Sequence, residues 1–134
     1  MRLSVSAALA CAFALAQPVH AEDIASAGDP VRGAAIYERC GACHSLDRDR
    51  TGPRHCGLFG RKAGSVPGFH YSRAMKQSNI VWTPESLDKF LENPRKDVPG
   101  TAMTYAGIKD PKERADVIAY LAKASADKEE CPPK

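Results

Sequence analysis

The chain lacks several features that mark common classes of protein. After its first twenty residues, no segment of the 134-residue sequence approaches the roughly 20 apolar residues that a transmembrane helix needs. It has no run of five or more basic residues, and its 19 Lys and Arg nearly balance its 16 Asp and Glu, which argues against a nucleic-acid partner. No internal repeat or low-complexity tract divides the chain. We therefore expect one domain with no membrane anchor.

The first residues have the composition of a secretory signal peptide. Arg2 forms a minimal positive region, residues 3–16 are an apolar stretch of signal length, and a small-x-small cleavage site ends at Ala21. We predict that residues 1–21 are removed and that residues 22–134 form a single periplasmic domain. A lipoprotein acylated at Cys11 is the alternative, but it would require cleavage only ten residues into the chain.

A CxxCH motif carries the clearest chemical signal, with Cys40, Cys43 and His44 in its fixed positions. Two thiols at this spacing can each form a thioether with a haem vinyl group, and the adjacent His is carried beneath the iron. A zinc site would require a second ligand pair at comparable spacing, which Cys56 and Cys131 do not provide. A thioredoxin-like motif would require strands alternating with helices. We predict one covalent haem c held by Cys40 and Cys43, with His44 as an axial ligand.

Cys56 and Cys131 are the two cysteines left after the signal peptide and the haem motif are set aside. Two spare thiols in an exported chain usually pair, so we predict a disulfide between them. It would close a loop of 75 residues, for which loop-closure entropy gives an upper figure of about 4 kcal/mol. Two separate buried thiols remain the alternative.

The secondary structure is predicted to be helical with long irregular connections. An N-cap at Asp29 and Pro30 at the first helical position predict a helix that delivers Cys40 at its end. Five Gly and two Pro between residues 51 and 68 argue against a helix or strand and predict an irregular loop that wraps around another group. Further helices are expected over residues 72–78, from Thr83 to the Asn-Pro pair at 93–94, and over residues 111–124.

The last predicted helix carries an apolar stripe that requires a partner, and the first helix is the obvious one. Gly33 weakens the first helix by its low propensity, so a close helix crossing at this point, against Tyr120, is a plausible reason for its presence.

From Gly28 to about Ala124 the sequence resembles a class I cytochrome c, in the branch of mitochondrial cytochromes c and soluble alphaproteobacterial carriers. The matching stretches are GDPVRGAAIYERCGACH, TGP, GLFGRKAG, PGFHYS, IVWT, FLENPRK, PGTAM and ERADVIAYL. The resemblance implies the small all-α cytochrome c fold, in which amino- and carboxy-terminal helices cross and loops wrap around one covalent haem.

The resemblance also implies that Met103, in PGTAM, is the second axial ligand. Once Met1 is removed the other methionine is Met75, which lies in a predicted helix, whereas Met103 lies in a loop bounded by Pro and Gly. His55 and His70 are rival ligands. His/Met ligation raises the reduction potential and leaves no open iron position for oxygen or peroxide.

Other roles follow from the resemblance one position at a time. The Pro53 carbonyl is expected to accept a hydrogen bond from the His44 ring nitrogen that does not bind iron. Tyr71 and Trp82 are expected to donate hydrogen bonds to a haem propionate, and Arg61 is expected to be the nearby cation that stabilises it. Thr101 is expected to make a further polar contact with the haem. The alternatives are core aromatics for the first two, a solvated charge for Arg61 and a turn residue for Thr101.

Three positions depart from the family pattern. Phe90 stands where many relatives have a Tyr, Met75 replaces a usual Asn, and His55 occupies a position that is usually apolar. The first two changes remove polar groups on the Met side. A drier pocket disfavours the extra positive charge of ferric haem, so we expect a raised potential.

Relatives dock through lysines around the exposed haem edge. Here the matching basic residues are Arg39, Arg95, Lys96 and Lys109. Ala102, Asp97 and Asp110 dilute the patch, so an ordinary solvated surface is the alternative.

The sequence therefore predicts a monomeric, soluble carrier of single electrons and not an enzyme. Its donor and acceptor would be redox proteins, either membrane-bound complexes such as an oxidase, a reductase or a reaction centre, or periplasmic dehydrogenases. A haem peroxidase or ligand sensor would need an open iron position, and a disulfide-stabilised binding module without haem would be colourless.

Overall fold

The structure, a computed structural model, describes residues 27–133. Within that range the named helices are α1 (Pro30–Tyr37), α2 (Arg73–Gln77), α3 (Pro84–Glu92), α4 (Pro94–Asp97) and α5 (Pro111–Ala124). Extended pairing in the same range is an isolated antiparallel bridge between Lys62 and Val81. The predicted signal peptide and its cleavage site lie outside the described residues. The all-α prediction is confirmed.

Helices α3 and α5 begin where the sequence predicts, because local capping groups fix both starts. The Thr83 hydroxyl accepts from the Ser86 backbone N–H and the Ser86 hydroxyl accepts from that of Thr83, which is a reciprocal capping box. The Asp110 carboxylate accepts from the Lys112 backbone N–H at 2.8 Å. Each of these helices has Pro in its first turn.

Helix α1 ends earlier than expected, at Tyr37, so the prediction that it delivers Cys40 at its end is wrong. Residues 38–43 form successive turns instead, with the Cys40 N–H donating to the Tyr37 carbonyl at 2.8 Å and the Cys43 N–H to the Cys40 carbonyl at 3.0 Å. The tighter turns bring both cysteines and the following residue out of the helix.

Helix α4 is not expected from the sequence, because the Asn93-Pro94 pair predicts only the end of α3. Pro94 excludes Asn93 from helical conformation but is itself suited to the first helical position. The Asn93 side chain then accepts from the Lys96 backbone N–H at 3.2 Å, so one residue ends α3 and begins α4.

Helices α1 and α5 cross at Gly33, as the sequence predicts. A Cβ at this position would lie 2.6 Å from the carbonyl carbon of Asp116 and 2.7 Å from Cβ of Tyr120. The contact is between backbones, so a side chain cannot be accommodated. Around the crossing, the described core is formed by apolar side chains that include Ile36, Val117, Ile118 and Leu121.

A buried carboxylate joins the same two helices. Asp116 is 2 % exposed and accepts from the Asp29 backbone N–H at 2.7 Å, from Lys112 at 2.6 Å and from Arg32 at 3.0 Å. Burial alone raises the pKa of this carboxyl group, but the hydrogen bonds and the two cations outweigh it and lower the pKa. The ionised form is therefore the stable partner of this junction.

Among the described residues, no helix combines the length and the apolar character that crossing a membrane would require.

Candidate haem-binding site

The turn that follows α1 presents the CxxCH residues. Both thiols are free, with Cys40 half-buried and Cys43 exposed. The His44 backbone N–H donates to the Cys40 carbonyl at 2.8 Å, so the His44 backbone is tied to the same turn as the two cysteines. Burial raises the pKa of the Cys40 thiol, an effect that the Arg39 charge opposes. The three motif residues thus share one short turn at the end of α1.

The His44 ring is held through one nitrogen and leaves the other free. Its Nδ1 donates to the Pro53 carbonyl at 2.8 Å, which is the hydrogen bond expected of Pro53. Burial lowers the pKa of this imidazole, although the same hydrogen bond partly opposes the shift. A neutral ring with Nδ1 as donor has its lone pair on Nε2, which is the form that binds a metal.

Gly52 lies directly against the same ring. A Cβ at Gly52 would come within 2.6 Å of His44 Nδ1 and Nε2. The space that the imidazole occupies therefore exists only because residue 52 has no side chain.

His55 stacks on His44, with ring centroids 4.3 Å apart and an interplanar angle of 23°. It shares a hydrogen bond of 2.9 Å with the Tyr37 hydroxyl through Nδ1. Because the two rings are stacked, His55 and His44 lie on the same side of any group that His44 binds. His55 therefore cannot reach the opposite axial position of that group. His70, the other rival ligand, is exposed.

Met103 is half-buried and packs against the core cluster. Its backbone N–H donates to the Thr101 hydroxyl oxygen at 3.2 Å, which gives Thr101 the role of a turn residue that the sequence left as an alternative. The hydroxyl hydrogen of Thr101 remains free to donate to another acceptor.

Arg61 and Trp82 lie next to the antiparallel bridge between Lys62 and Val81. The Trp82 backbone N–H donates to the Arg61 carbonyl at 3.0 Å, and the Gly60 N–H donates to the Trp82 carbonyl at 2.8 Å. The Arg61 guanidinium donates to the carbonyls of Cys56 and Arg54 at 2.8 and 3.0 Å, so it is not simply a solvated charge.

The two expected propionate donors are both partly or fully buried. Trp82 is 8 % exposed and stands edge-on to Phe90, 5.2 Å between ring centroids. The Tyr71 hydroxyl accepts from the Val66 backbone N–H at 3.4 Å, and burial raises its pKa.

Cys56 and Cys131 are brought together by the segment that follows α5. Their Cα atoms are 5.4 Å apart, and the two sulfur atoms are within bonding distance. The Gly57 N–H donates to the Ser125 carbonyl at 2.9 Å beside them. This geometry is compatible with the predicted disulfide.

The four basic residues expected to dock a partner differ in whether their charged groups are already bound within the protein. Arg39 forms a two-bond ion pair with Glu113, 2.9 Å for each bond, and the Lys109 ammonium donates to the Glu92 carbonyl at 2.5 Å. Arg95 and Lys96 are exposed. All four residues are exposed, but Glu113 offsets the Arg39 charge, so the positive charge of the patch comes mainly from Arg95, Lys96 and Lys109.

Apart from the Pro53 hydrogen bond, sequence reasoning does not find the contacts that surround His44. The pattern places Tyr37 on an apolar helix face, and no local signal links it to His55, 18 residues away. The Gly52 contact had a weak signal, since it follows the CxxCH turn by a few residues and precedes the Pro whose carbonyl was expected to bind His44.

The donor set fits a covalently bound haem. The described residues supply two free thiols on one turn, an imidazole with a free nitrogen and a thioether on a Pro/Gly-bounded loop. Soft sulfur and imidazole are the axial donors of low-spin iron in electron carriers.

Comparison with known proteins identifies the same group. The cytochrome c family model matches residues 30–125. A cytochrome c2 from Rhodomicrobium vannielii is 49 % identical over 100 residues, covering 72 % of this chain and 80 % of the relative. A cytochrome c from Euglena viridis is 54 % identical over 97 residues, covering 70 % and 95 %. The solved structure of cytochrome cH from Methylobacterium extorquens superposes with a TM-score of 0.69 at 41 % identity, covering 71 % of this chain and 98 % of that one.

Proposed function

Because the chain belongs to the cytochrome c family, whose members bind one covalent haem c and transfer electrons, we propose that it is a soluble periplasmic single-electron carrier with His/Met-ligated iron. Cys40 and Cys43 form the two thioethers, and His44 and Met103 are the axial ligands.

One observation carries the assignment of His44. Its Nδ1 donates to Pro53, which leaves Nε2 as the only ring nitrogen able to bind iron and fixes the plane in which it points. The hydrogen bond also makes the imidazole a stronger donor to the metal. Gly52 provides the space for this ring.

The bound haem supplies the one-electron couple, and the protein sets its potential and its access. The thioether of Met103 favours ferrous iron, and closing the second axial position excludes oxygen and peroxide. Phe90 and Met75 are buried apolar groups of the same core, which also disfavours the ferric charge. Trp82, Tyr71 and Arg61 are proposed to hold the propionate side.

Export and the disulfide complete the proposal. Residues 1–21 are proposed to direct the chain to the periplasm, an oxidising compartment in which Cys56 and Cys131 pair. Intact mass with and without reductant and alkylation tests the pairing. Two alkylatable thiols before reduction would disprove it, and a mature chain that starts elsewhere than Glu22 would disprove the cleavage site.

The partners are proposed to be redox proteins with acidic docking surfaces. Arg95, Lys96 and Lys109 are exposed cations that support this, whereas Arg39 is already paired with Glu113.

Carbon monoxide tests the closed iron site. The reduced holoprotein is expected to show no rapid spectral change at neutral pH, whereas Met103→Ala is expected to bind carbon monoxide. Met75→Ala is the matched control, since it removes a methionine from α2 and is expected to leave the iron closed. Rapid binding by the unmodified protein would contradict Met103 ligation and favour a ligand sensor or peroxidase.

A further inference from the structure

His55 is a half-buried polar residue to which the proposed electron-transfer role gives no function. It stands at a position that is usually apolar in the resembling family, yet here it carries an imidazole. Its backbone N–H donates to the Ser45 and Leu46 carbonyls, both at 3.1 Å, so the residue is tied to the segment that directly follows His44.

The two imidazoles form a stack that restricts rotation. With centroids 4.3 Å apart and planes inclined by 23°, the faces of His55 and His44 are in contact. Any rotation of the His44 plane about its Cβ–Cγ bond must displace His55. The Pro53 hydrogen bond holds one edge of the His44 ring, and His55 supports its face.

Tyr37 in turn holds His55. Its hydroxyl and His55 Nδ1 are 2.9 Å apart, and the Tyr37 ring packs at 5.2 Å against Tyr120 of α5. Because α1 and α5 are locked together at Gly33, the Tyr37 hydroxyl is a fixed point of the fold. A chain of contacts therefore runs from the helix crossing through Tyr37 and His55 to His44.

We propose that His55 is a positioning residue that sets the plane of the His44 imidazole relative to the haem, and that Tyr37 holds His55 in place for this task. The inference rests on the proposed function, in which His44 binds iron. The orientation of an axial imidazole is one of the levers by which a protein tunes iron, alongside hydrogen bonding and burial.

Two variants of the holoprotein separate the stacking of His55 on His44 from the hydrogen bond between Tyr37 and His55. His55→Leu removes the ring and the hydrogen bond, whereas Tyr37→Phe removes only the hydroxyl. Both are expected to change the g-value anisotropy of the ferric low-spin spectrum, which reports the plane of an axial imidazole. His55→Leu is also expected to favour the reduced form about threefold against a reference couple, which is about 28 mV for one electron at 59 mV per tenfold, because it makes the surroundings of the ligand less polar.

Two further variants act as controls. His55→Phe keeps a flat ring for stacking without the hydrogen bond, so its spectrum is expected to match that of Tyr37→Phe. Tyr120→Phe removes a neighbouring hydroxyl that does not contact His55 and is expected to leave the g values unchanged. In the double variant that combines Tyr37→Phe with His55→Leu, the spectrum is expected to equal that of His55→Leu alone. The Tyr37 hydroxyl acts on His44 only through its hydrogen bond with His55.

The outcomes are distinct. Unchanged g values and an unchanged reduction equilibrium in folded His55→Leu and Tyr37→Phe would overturn the proposal, even if both variants melt at lower temperature, since that would show a merely structural role. If His55→Leu does not fold, His55→Phe and Tyr37→Phe decide the question by the same spectra. Failure of the proposed function would be seen separately, as a low-spin spectrum that survives His44→Ala unchanged.

Discussion

Gly33 of α1 rests directly on the backbone of Asp116 in α5, so the two terminal helices meet main chain to main chain. An added Cβ would lie 2.6 Å from the Asp116 carbonyl carbon. This contact fixes the frame from which the CxxCH turn projects.

Substitution of Gly33 by Ala is expected to destabilise the protein by about 1–3 kcal/mol, as overpacking does. In a solvent-exposed helix the same change raises the free energy of unfolding by about 0.5–1 kcal/mol. The sign of the change in that free energy therefore distinguishes a close crossing from an exposed position. Chemical unfolding of the holoprotein measures it. Ala35→Gly, at an exposed position of α1, is the control and is expected to cost no more than about 1 kcal/mol. A more stable Gly33→Ala variant would refute the close crossing.

Substitution of Gly52 by Ala is expected to displace the His44 ring, because the new methyl group would overlap it. We expect a spectrum with a weakened axial field and faster carbon monoxide binding by the reduced protein. Gly41→Ala, within the CxxCH turn, meets the Glu38 carbonyl oxygen only at 3.2 Å and is expected to keep the normal spectrum. Equal spectra for both variants would show that Gly52 does not shape the site.

Asp116→Asn is expected to lower the unfolding free energy by about 1–2 kcal/mol near neutral pH, through loss of charge-assisted hydrogen bonds. Because the folded-state pKa of Asp116 is lowered, its contribution is complete above the unfolded pKa of about 3.9 and is lost as pH falls through the folded value. The difference between the two proteins should therefore shrink below about pH 4. Glu38→Gln, an exposed carboxylate in the same region, is the control. A difference that grows in acid would contradict this assignment.

Neutralising Arg95 and Lys96 together, as Gln, is expected to slow reduction by a small anionic reagent about three- to tenfold at low ionic strength. The effect should nearly vanish at 1 M salt, where the Debye length is about 3 Å. Exchanging the ion pair, Arg39→Glu with Glu113→Arg, keeps the local charge and is expected to leave the rate within a factor of two. If the exchanged pair slows the reaction as much as the Gln variant, docking does not depend on Arg95 and Lys96.

The elements that sequence predicts well are those with local causes. Thr83 and Asp110 cap α3 and α5 by accepting from backbone N–H groups two or three residues away. The close crossing at Gly33 requires only that a second helix packs against α1. The end of α1 was missed because the turns over residues 38–43 compete closely with one more helical turn.

Contacts around the site depend on chain-distant partners, and no local pattern carries them. Tyr37 and His55 are 18 residues apart, and Arg39 and Glu113 are 74 apart. Motif spacing identified His44, and the family resemblance implied its hydrogen bond to Pro53. The cations that stay free and the ring that covers the His44 face follow only from tertiary packing.

The Cys56 and Cys131 pairing has a topological consequence. Domain swapping requires one element to leave its own molecule and dock on another. A disulfide between them would link the segment after α5 to the loop before Arg61, so α5 could not leave α1 without carrying that loop along. The oxidised bond would therefore oppose exchange of the last helix between two molecules, a barrier that reduction would remove.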